Sequence, residues 1–368
     1  MTFTSKSTIT QLQYLDEEGN VVQPLPAWAD NLDLLVEFYR HMVLVRTYDK
    51  KAIALQRTGQ MGTYPSHLGA EAIGIGVGAA MDVEDVYVPY YRDMPTMYMR
   101  GATMVHNMLY WGGTEQGSYF HRPDGKLSED FPICVPIATQ CTHATGVASA
   151  FKLRGEKRVA VTAIGDGGTS KGDFLEAINC AGAWQLPCIF VINNNQWAIS
   201  VPRAIQCGAP TLAQKAIGAG IPGVQVDGND IIAVYDAMLT ALNRARAGKG
   251  ATLIEAVSYR LSDHTTADDA TRYRGSEEVN AAWKREPVKR LRNYLHNAGV
   301  WNEDKEQALQ AECNAKVEEA VQQYLNHPKE PPESMMDHHF EQLVEPLASQ
   351  REELIKKAMR MEGGQSHG

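Results

Sequence analysis

The stretch RVAVTAIGDGG, Arg158 to Gly168, followed at a helix's distance by PCIFVINNNQW, Pro187 to Trp197, decides the architecture. Arg158 to Ile164 is a short apolar, β-branched run that stops at Gly165-Asp166-Gly167-Gly168. Asp173 to Trp184 then reads as a helix, and Pro187 to Ile192 as a second buried strand. Runs that are apolar throughout, rather than alternating, belong to strands covered on both faces. Working outward, Thr211 to Ala219 reads as helix, Val224 to Val226 as strand, Asp230 to Ala247 as helix and Ala251 to Ser258 as strand. Strands that alternate with helices imply βαβ units. The fold class is therefore α/β, a mostly parallel sheet with helices on both faces.

Upstream, the spacing of Leu34, Leu35, Phe38, Tyr39, Met42, Val43, Val45 and Tyr48 predicts a helix within Asn31–Gln60. Ala70 to Met81 carries Gly74, Gly76 and Gly78, a GxGxG spacing with no strand before it. It reads as a tightly packed helix rather than a nucleotide loop. Residues 1–30 are a polar N-terminal extension with a small hairpin around Glu18-Gly19-Asn20. Residues 31–290 form the α/β domain, and 291–368 a helical C-terminal extension. Pro287 to Leu325 reads as helical and charged, and the closing GGQSHG as disordered.

Composition narrows the function. Among 368 residues, 35 Lys and Arg face 44 Asp and Glu, a net charge of -9, which argues against a nucleic-acid or acidic-membrane binder. No apolar run reaches the ~20 residues of a membrane span. The first twenty residues have no apolar h-region and carry acids, so they read as neither a secretion signal nor a transit peptide. Six cysteines without a CxxC pair read as reduced thiols in a cytoplasm-like compartment.

The chemistry sits at the two strand ends. Gly165-Asp166-Gly167 and Asn194-Asn195 are separated by 26 residues, and each follows an expected strand. In an open parallel sheet, ligands bind outside the carboxyl ends of the strands. An Asp carboxylate and an Asn carbonyl are hard oxygen donors suited to Mg²⁺, which takes its other ligands from water and phosphate. Glycines 165, 167 and 168 let backbone N–H groups approach a diphosphate.

This pair of motifs resembles that of thiamine diphosphate enzymes. The chain is similar, more narrowly, to the alpha subunit of the decarboxylating component of 2-oxo acid dehydrogenase complexes. The likeness runs from Leu25-Pro26-Ala27-Trp28 through Tyr91-Arg92-Asp93, Gly167 to Phe174 and Val226 to Asp230, to Asp263 to Asp269 and Tyr273-Arg274. It implies Mg²⁺ ligation by Asp166, Asn195 and the carbonyl of Trp197, where the family usually has Tyr. It implies that Gly167, Gly168, Tyr91, Arg92 and Asn195 contact the cofactor. A main-chain group of Ile137 would meet the aminopyrimidine. His264 would be the active-site-loop histidine, holding the diphosphate region and assisting acyl transfer. Asp263, Asp268 and Asp269 beside it are expected to orient the ring or favour its charged form. Arg260, Arg272 and Arg274 are expected to tie the loop down through ion pairs with those aspartates. The loop Ser262–Gly275 is expected to be mobile. Pro136, Thr139 and Gln140 resemble a potassium-binding turn, an ordinary polar turn being the alternative.

The resemblance implies oxidative decarboxylation of pyruvate with transfer of the acyl group to a lipoyl-bearing acyltransferase. A branched-chain 2-oxo acid is the alternative substrate. The carboxylate that activates the aminopyrimidine normally lies in a second, pyrimidine-binding domain, and this chain is too short to hold both. A beta subunit is therefore implied, in an assembly of two alpha and two beta chains. A nucleotide-dependent Rossmann oxidoreductase, the rival of another class, lacks its GxGxxG after the first strand.

Overall fold

The computed structural model describes residues 9–336 and 339–364, with the side chains of 361–364 left aside. The start of the leader reading, residues 1–8, lies outside the described residues, as do 365–368 of the closing GGQSHG. Gly363 and Gly364 end a helix instead of a disordered tail.

Six parallel strands form the central sheet: β1 (Thr10–Leu12), β2 (Val86–Val88), β3 (Ala160–Gly165), β4 (Cys188–Asn194), β7 (Gly223–Asp227) and β8 (Thr252–Val257), in the order β1-β7-β8-β4-β3-β2. A two-stranded antiparallel ribbon, β5 (Trp197–Ala198) and β6 (Val201–Pro202), projects beyond β4. The apolar run of β3 buries Ala160, Val161, Ala163 and Ile164 almost completely, and β4 is buried along its whole length. Alternate residues serve opposite faces. Val161, Ala163, Ile189 and Val191 pack toward α1 (Leu32–Arg57), α2 (Glu71–Ala80) and α9 (Ile231–Arg246). Ala160, Ile164, Phe190 and Ile192 pack toward α5 (Thr139–Arg154) and α6 (Gly172–Ala183). Between α2 and α5 lie α3 (Met94–Met99) and α4 (Met104–Trp111).

The glycines of α2 are packing glycines, as their spacing predicts. A Cβ at Gly74 would meet Pro95 at 2.6 Å, and one at Gly76 would meet Val234 at 2.9 Å. The segment expected as a helix over 211–219 is shorter: a 3-10 turn, Leu212–Gln214, runs after the short α7 (Arg203–Gln206) into α8 (Lys215–Gly218). Gly220, with φ 68°, ends it. The run 287–325 is two helices, α11 (Pro287–Asn297) and α12 (Glu303–Leu325), preceded by α10 (Ser276–Lys284). Gly299 at φ 75° breaks it, and the Asn302 side chain restarts it by accepting from the Lys305 N–H at 3.0 Å. The last helix is α13 (Glu345–Gly364).

The polar N-terminal segment contributes the edge strand. Thr10–Leu12 pairs with Val224–Val226, and the buried Asp230 carboxylate accepts the N–H groups of Tyr14 (2.6 Å) and Leu15 (2.8 Å) while capping α9 through Ile232 and Ala233. An edge strand pairs on one side only, so it needs no apolar run.

Candidate active site

Register brings the motifs together. Gly165 lies opposite Asn193, and Asn194 opposite Val257, so β3, β4 and β8 end at one level. Asp166, Asn195 and Ser258 are the next residues of these three chains. Around the first two opens a cavity of about 540 Å³. Asp166, Gly167, Gly168, Asn195, Trp197, Tyr91, Arg92, Ile137 and His264 all line it. Of the potassium-turn residues, Gln140 lines the cavity, and Pro136 and Thr139 do not.

Asp166 opens a 3-10 turn, Asp166–Ser170, just past β3. It is 1% exposed, and its Oδ2 has no hydrogen-bond partner. Burial pushes its carboxyl up to about 6, while backbone hydrogen bonds and the guanidiniums of Arg260 and Arg92 pull it back. A buried, unpaired carboxylate oxygen is costly unless something arrives to meet it. Beside it, the glycines are obligatory for space. A Cβ at Gly167 would lie 2.6 Å from that of Ala198, and one at Gly168 would lie 2.6 Å from Ile164.

The turn after β4 is strained. Among the described residues, four non-glycines adopt left-handed φ: Ala138, Gln185, Gln196 and Ile199. Ala138 and Ile199 line the cavity, and Gln196 sits between Asn195 and Trp197. Such conformations cost roughly 1 kcal/mol or more each and persist where the surroundings hold them. Arg260 supplies much of the hold. Its N–H donates to the Asn195 carbonyl (3.2 Å), Nη1 to the Trp197 carbonyl (3.2 Å) and Nη2 to the Ile199 carbonyl (2.8 Å). The Asn195 Oδ1 accepts from the Trp197 N–H at 3.2 Å, closing the turn on itself.

Two guanidiniums face the imidazole of His264. Arg92 Nη2 lies 3.3 Å and Arg260 Nη1 3.4 Å from Nδ1. Arginine can only donate, so Nδ1 accepts and the proton of the neutral ring sits on Nε2. Burial first, then Arg92 and Arg260, holds this histidine down at about 4. The expectation of a charged ring is thus reversed: the neighbouring Asp268 takes the His264 backbone N–H at 2.8 Å and leaves the ring to the arginines. Arg92 is 5% exposed and also donates to the carbonyls of Ser66 and, at 2.9 Å, His264. Ser66 is in turn fixed by its hydroxyl to the buried Asp49 of α1 at 2.6 Å.

The arginines do not tie the loop down through its aspartates. Arg274 donates to the carbonyls of Arg260 and Ser262, and Arg260 to carbonyls and to the Tyr273 hydroxyl at 2.7 Å. Among the described residues, no carboxylate oxygen lies within 4.0 Å of a guanidinium nitrogen of Arg92, Arg260, Arg272 or Arg274, whereas tight pairs such as Arg46–Glu71 (2.7 Å) form elsewhere. Backbone carbonyls serve instead, because the loop folds back over β8's end and presents them. Sequence reasoning missed Trp111, Cys134, Val135 and Thr63, among other residues of the cavity wall. They carry no motif, and only the tertiary fold assembles them.

The cavity therefore holds a lone buried carboxylate oxygen, that of Asp166, and the guanidinium of Arg92 with no carboxylate partner, within largely apolar walls. A divalent cation bound to an anionic, partly apolar ligand would satisfy both, and the hard oxygens of Asp166, Asn195 and Trp197 suit Mg²⁺. Residues 39–333 match the family model described as dehydrogenase E1 component. The chain is 43% identical over 352 residues, 95% of its length and 93% of the relative's, to the pyruvate dehydrogenase E1 component subunit alpha of Staphylococcus aureus. It is 42% identical over the same span to that of Staphylococcus epidermidis. A match over four-fifths of the chain, joined to near full-length identity, means that the chain belongs to the dehydrogenase E1 component family.

Proposed function

We propose that this chain is the alpha subunit of a pyruvate dehydrogenase E1 component, binding thiamine diphosphate and Mg²⁺ in the cavity beside β3 and β4. The observation that carries the reading is the unpartnered Oδ2 of Asp166, 1% exposed, in a cavity also lined by Arg92, a guanidinium with no carboxylate of its own. When bound, thiamine diphosphate supplies the thiazolium carbon that adds to the substrate ketone and the electron sink into which CO₂ departs.

The chain's own residues position and neutralise. Asp166, the Asn195 side chain and the Trp197 carbonyl hold Mg²⁺. The guanidinium of Arg92 suits a diphosphate, gripping two oxygens at once, and Gly167 and Gly168 admit its close approach. Tyr91, whose ring stands edge-on to His264 at 6.1 Å, and Ile137, through its main chain, bound the organic part. His264, neutral, donates from Nε2, first to the diphosphate region and then as the acyl group passes to the lipoyl arm. The buried, unpartnered Oε1 of Gln140 favours a potassium ion at the turn beside it.

Asp166 is the only carboxylate lining this cavity among the described residues, and as a Mg²⁺ ligand it would not be free to serve a second role. The acid that activates the aminopyrimidine therefore comes from a beta subunit, in an assembly of two alpha and two beta chains that delivers acyl groups to a lipoyl-bearing acyltransferase. Six free cysteines suit the reducing cytoplasm, and among the described residues no helix is long and apolar enough to cross a membrane.

The test is decarboxylation with an artificial electron acceptor by the alpha chain co-expressed with its beta partner. Turnover of pyruvate, dependent on Mg²⁺ and thiamine diphosphate and well above that of branched 2-oxo acids, is expected. Preference for branched acids would reassign the substrate, and turnover by the alpha chain alone would refute the split site.

A further inference from the structure

The strained turn from Asn195 to Ile199 has a second anchor, outside the cavity. The indole Nε1 of Trp197 donates to Glu278 Oε1 at 3.2 Å, across to α10. The indole also packs 5.6 Å from the ring of Tyr273 and belongs to a small apolar cluster with Tyr259, Leu261 and Ala282, separate from the two main cores. Residues on both sides of Trp197, Gln196 (φ 72°) and Ile199 (φ 55°), hold left-handed backbone that relaxes unless its surroundings fix it. Arg260 fixes the carbonyls of this turn; the side chain of Trp197 is fixed by Glu278.

We propose that Glu278 is a positioning residue for the metal centre: by holding the Trp197 indole it complements the hold of Arg260 on the Trp197 carbonyl and so helps to keep that carbonyl aimed. This rests on the reading of that carbonyl as a Mg²⁺ ligand. Partners that orient metal ligands typically govern affinity rather than the chemical step. Glu278 lies on the exposed face of α10, so its removal leaves the cores untouched.

The experiment measures Mg²⁺ affinity of the co-expressed alpha and beta chains at saturating thiamine diphosphate, by calorimetry and by the change in tryptophan fluorescence. Glu278→Ala is expected to raise the Mg²⁺ Kd about tenfold, with kcat at saturating Mg²⁺ nearly unchanged. Glu278→Gln keeps the acceptor oxygen and should restore affinity to within about twofold of the parent. Trp197→Phe should match Glu278→Ala, and the double variant should lose no more than either single one. A Kd unmoved by Glu278→Ala, or single effects that multiply in the double variant, would overturn the proposal while leaving the proposed function standing. Failure of the unsubstituted enzyme to bind Mg²⁺ at all would overturn both.

Discussion

Two clefts open at the carboxyl edge of the sheet, one on each side of β4, and they differ in what they leave unpaired. The first, about 540 Å³, is the cavity around Asp166. The second, about 580 Å³, is lined by Asn194, Gln225, Asp227, Glu255 and Arg290 among others. It is the more richly charged, yet its buried carboxylates are engaged. Glu255, fully buried, accepts from Asn194 Nδ2 (2.7 Å), Ala213 N (2.9 Å) and Gln225 Nε2 (3.1 Å), and Asp227 pairs with Arg290 at 2.7 Å. In the first cleft Asp166 Oδ2 has no hydrogen-bond partner and Arg92 no carboxylate. Neither size nor charge count marks the site; unmet charge does.

The largest effect should come from breaking that asymmetry at Asp166. Asp166→Asn should weaken Mg²⁺-dependent cofactor retention by about two orders of magnitude, close to 3 kcal/mol, as read by calorimetry on the co-expressed chains. The same change should leave the apo fold as stable as before or more so, because an orphaned carboxylate is lost. Unchanged cofactor retention would end the assignment. Glu255→Ala in the other cleft should do the reverse. Two buried donors and the half-buried Gln225 lose their acceptor, so unfolding free energy should fall by about 3 kcal/mol in a denaturant titration, while Mg²⁺ Kd in the folded enzyme stays put.

Acidity sharpens the comparison further. Asp166 in the folded apo chain titrates at about 6, above its ordinary 3.8, so it stays protonated to higher pH than in the unfolded chain. Its contribution makes the apo chain more stable as pH falls from about 6 toward 4. His264 titrates at about 4, below its ordinary 6.5, so the unfolded chain binds the proton first and this contribution is lost over nearly the same window. The two oppose each other. Asp166→Asn should therefore make apo thermal stability more acid-sensitive between pH 6 and 4 than the parent's, while the parent's Mg²⁺ affinity declines below about pH 6. The smallest effect belongs to Glu278→Ala, whose loss of one part-buried hydrogen bond at an exposed side chain should lower stability by about 1 kcal/mol or less.

Much of this was legible beforehand, for physical reasons. β3, β4 and β8 carry largely apolar runs because both faces are covered, Glu255 being the charged exception in β8, and α9 announces itself by Asp230 at its cap. β2, Val86–Val88, is too short to stand out, and β1, Thr-Gln-Leu, is a polar edge. At the site, Asp166 and Asn195 were readable because each follows an apolar strand. The state of His264 was not, since its nearest aspartates are sequence neighbours while Arg92 arrives from 172 residues away. Nor could sequence show that Arg260 and Arg274 would find carbonyls, for the acceptors exist only once the loop has folded over β8.

The edge strand β1 sets the order in which the sheet can be completed during synthesis. β7 reaches the rest of the sheet only through β8, and β1 touches β7 alone. The Asp230 carboxylate that fastens Tyr14 lies 216 residues downstream of it. A strand synthesised this far ahead of its partner must therefore wait, unpaired, until residue 227 has emerged, and joins the rest of the sheet only after residue 257. Its polar Thr10-Gln11 face keeps that long wait harmless, where three apolar residues would offer a template for misassembly.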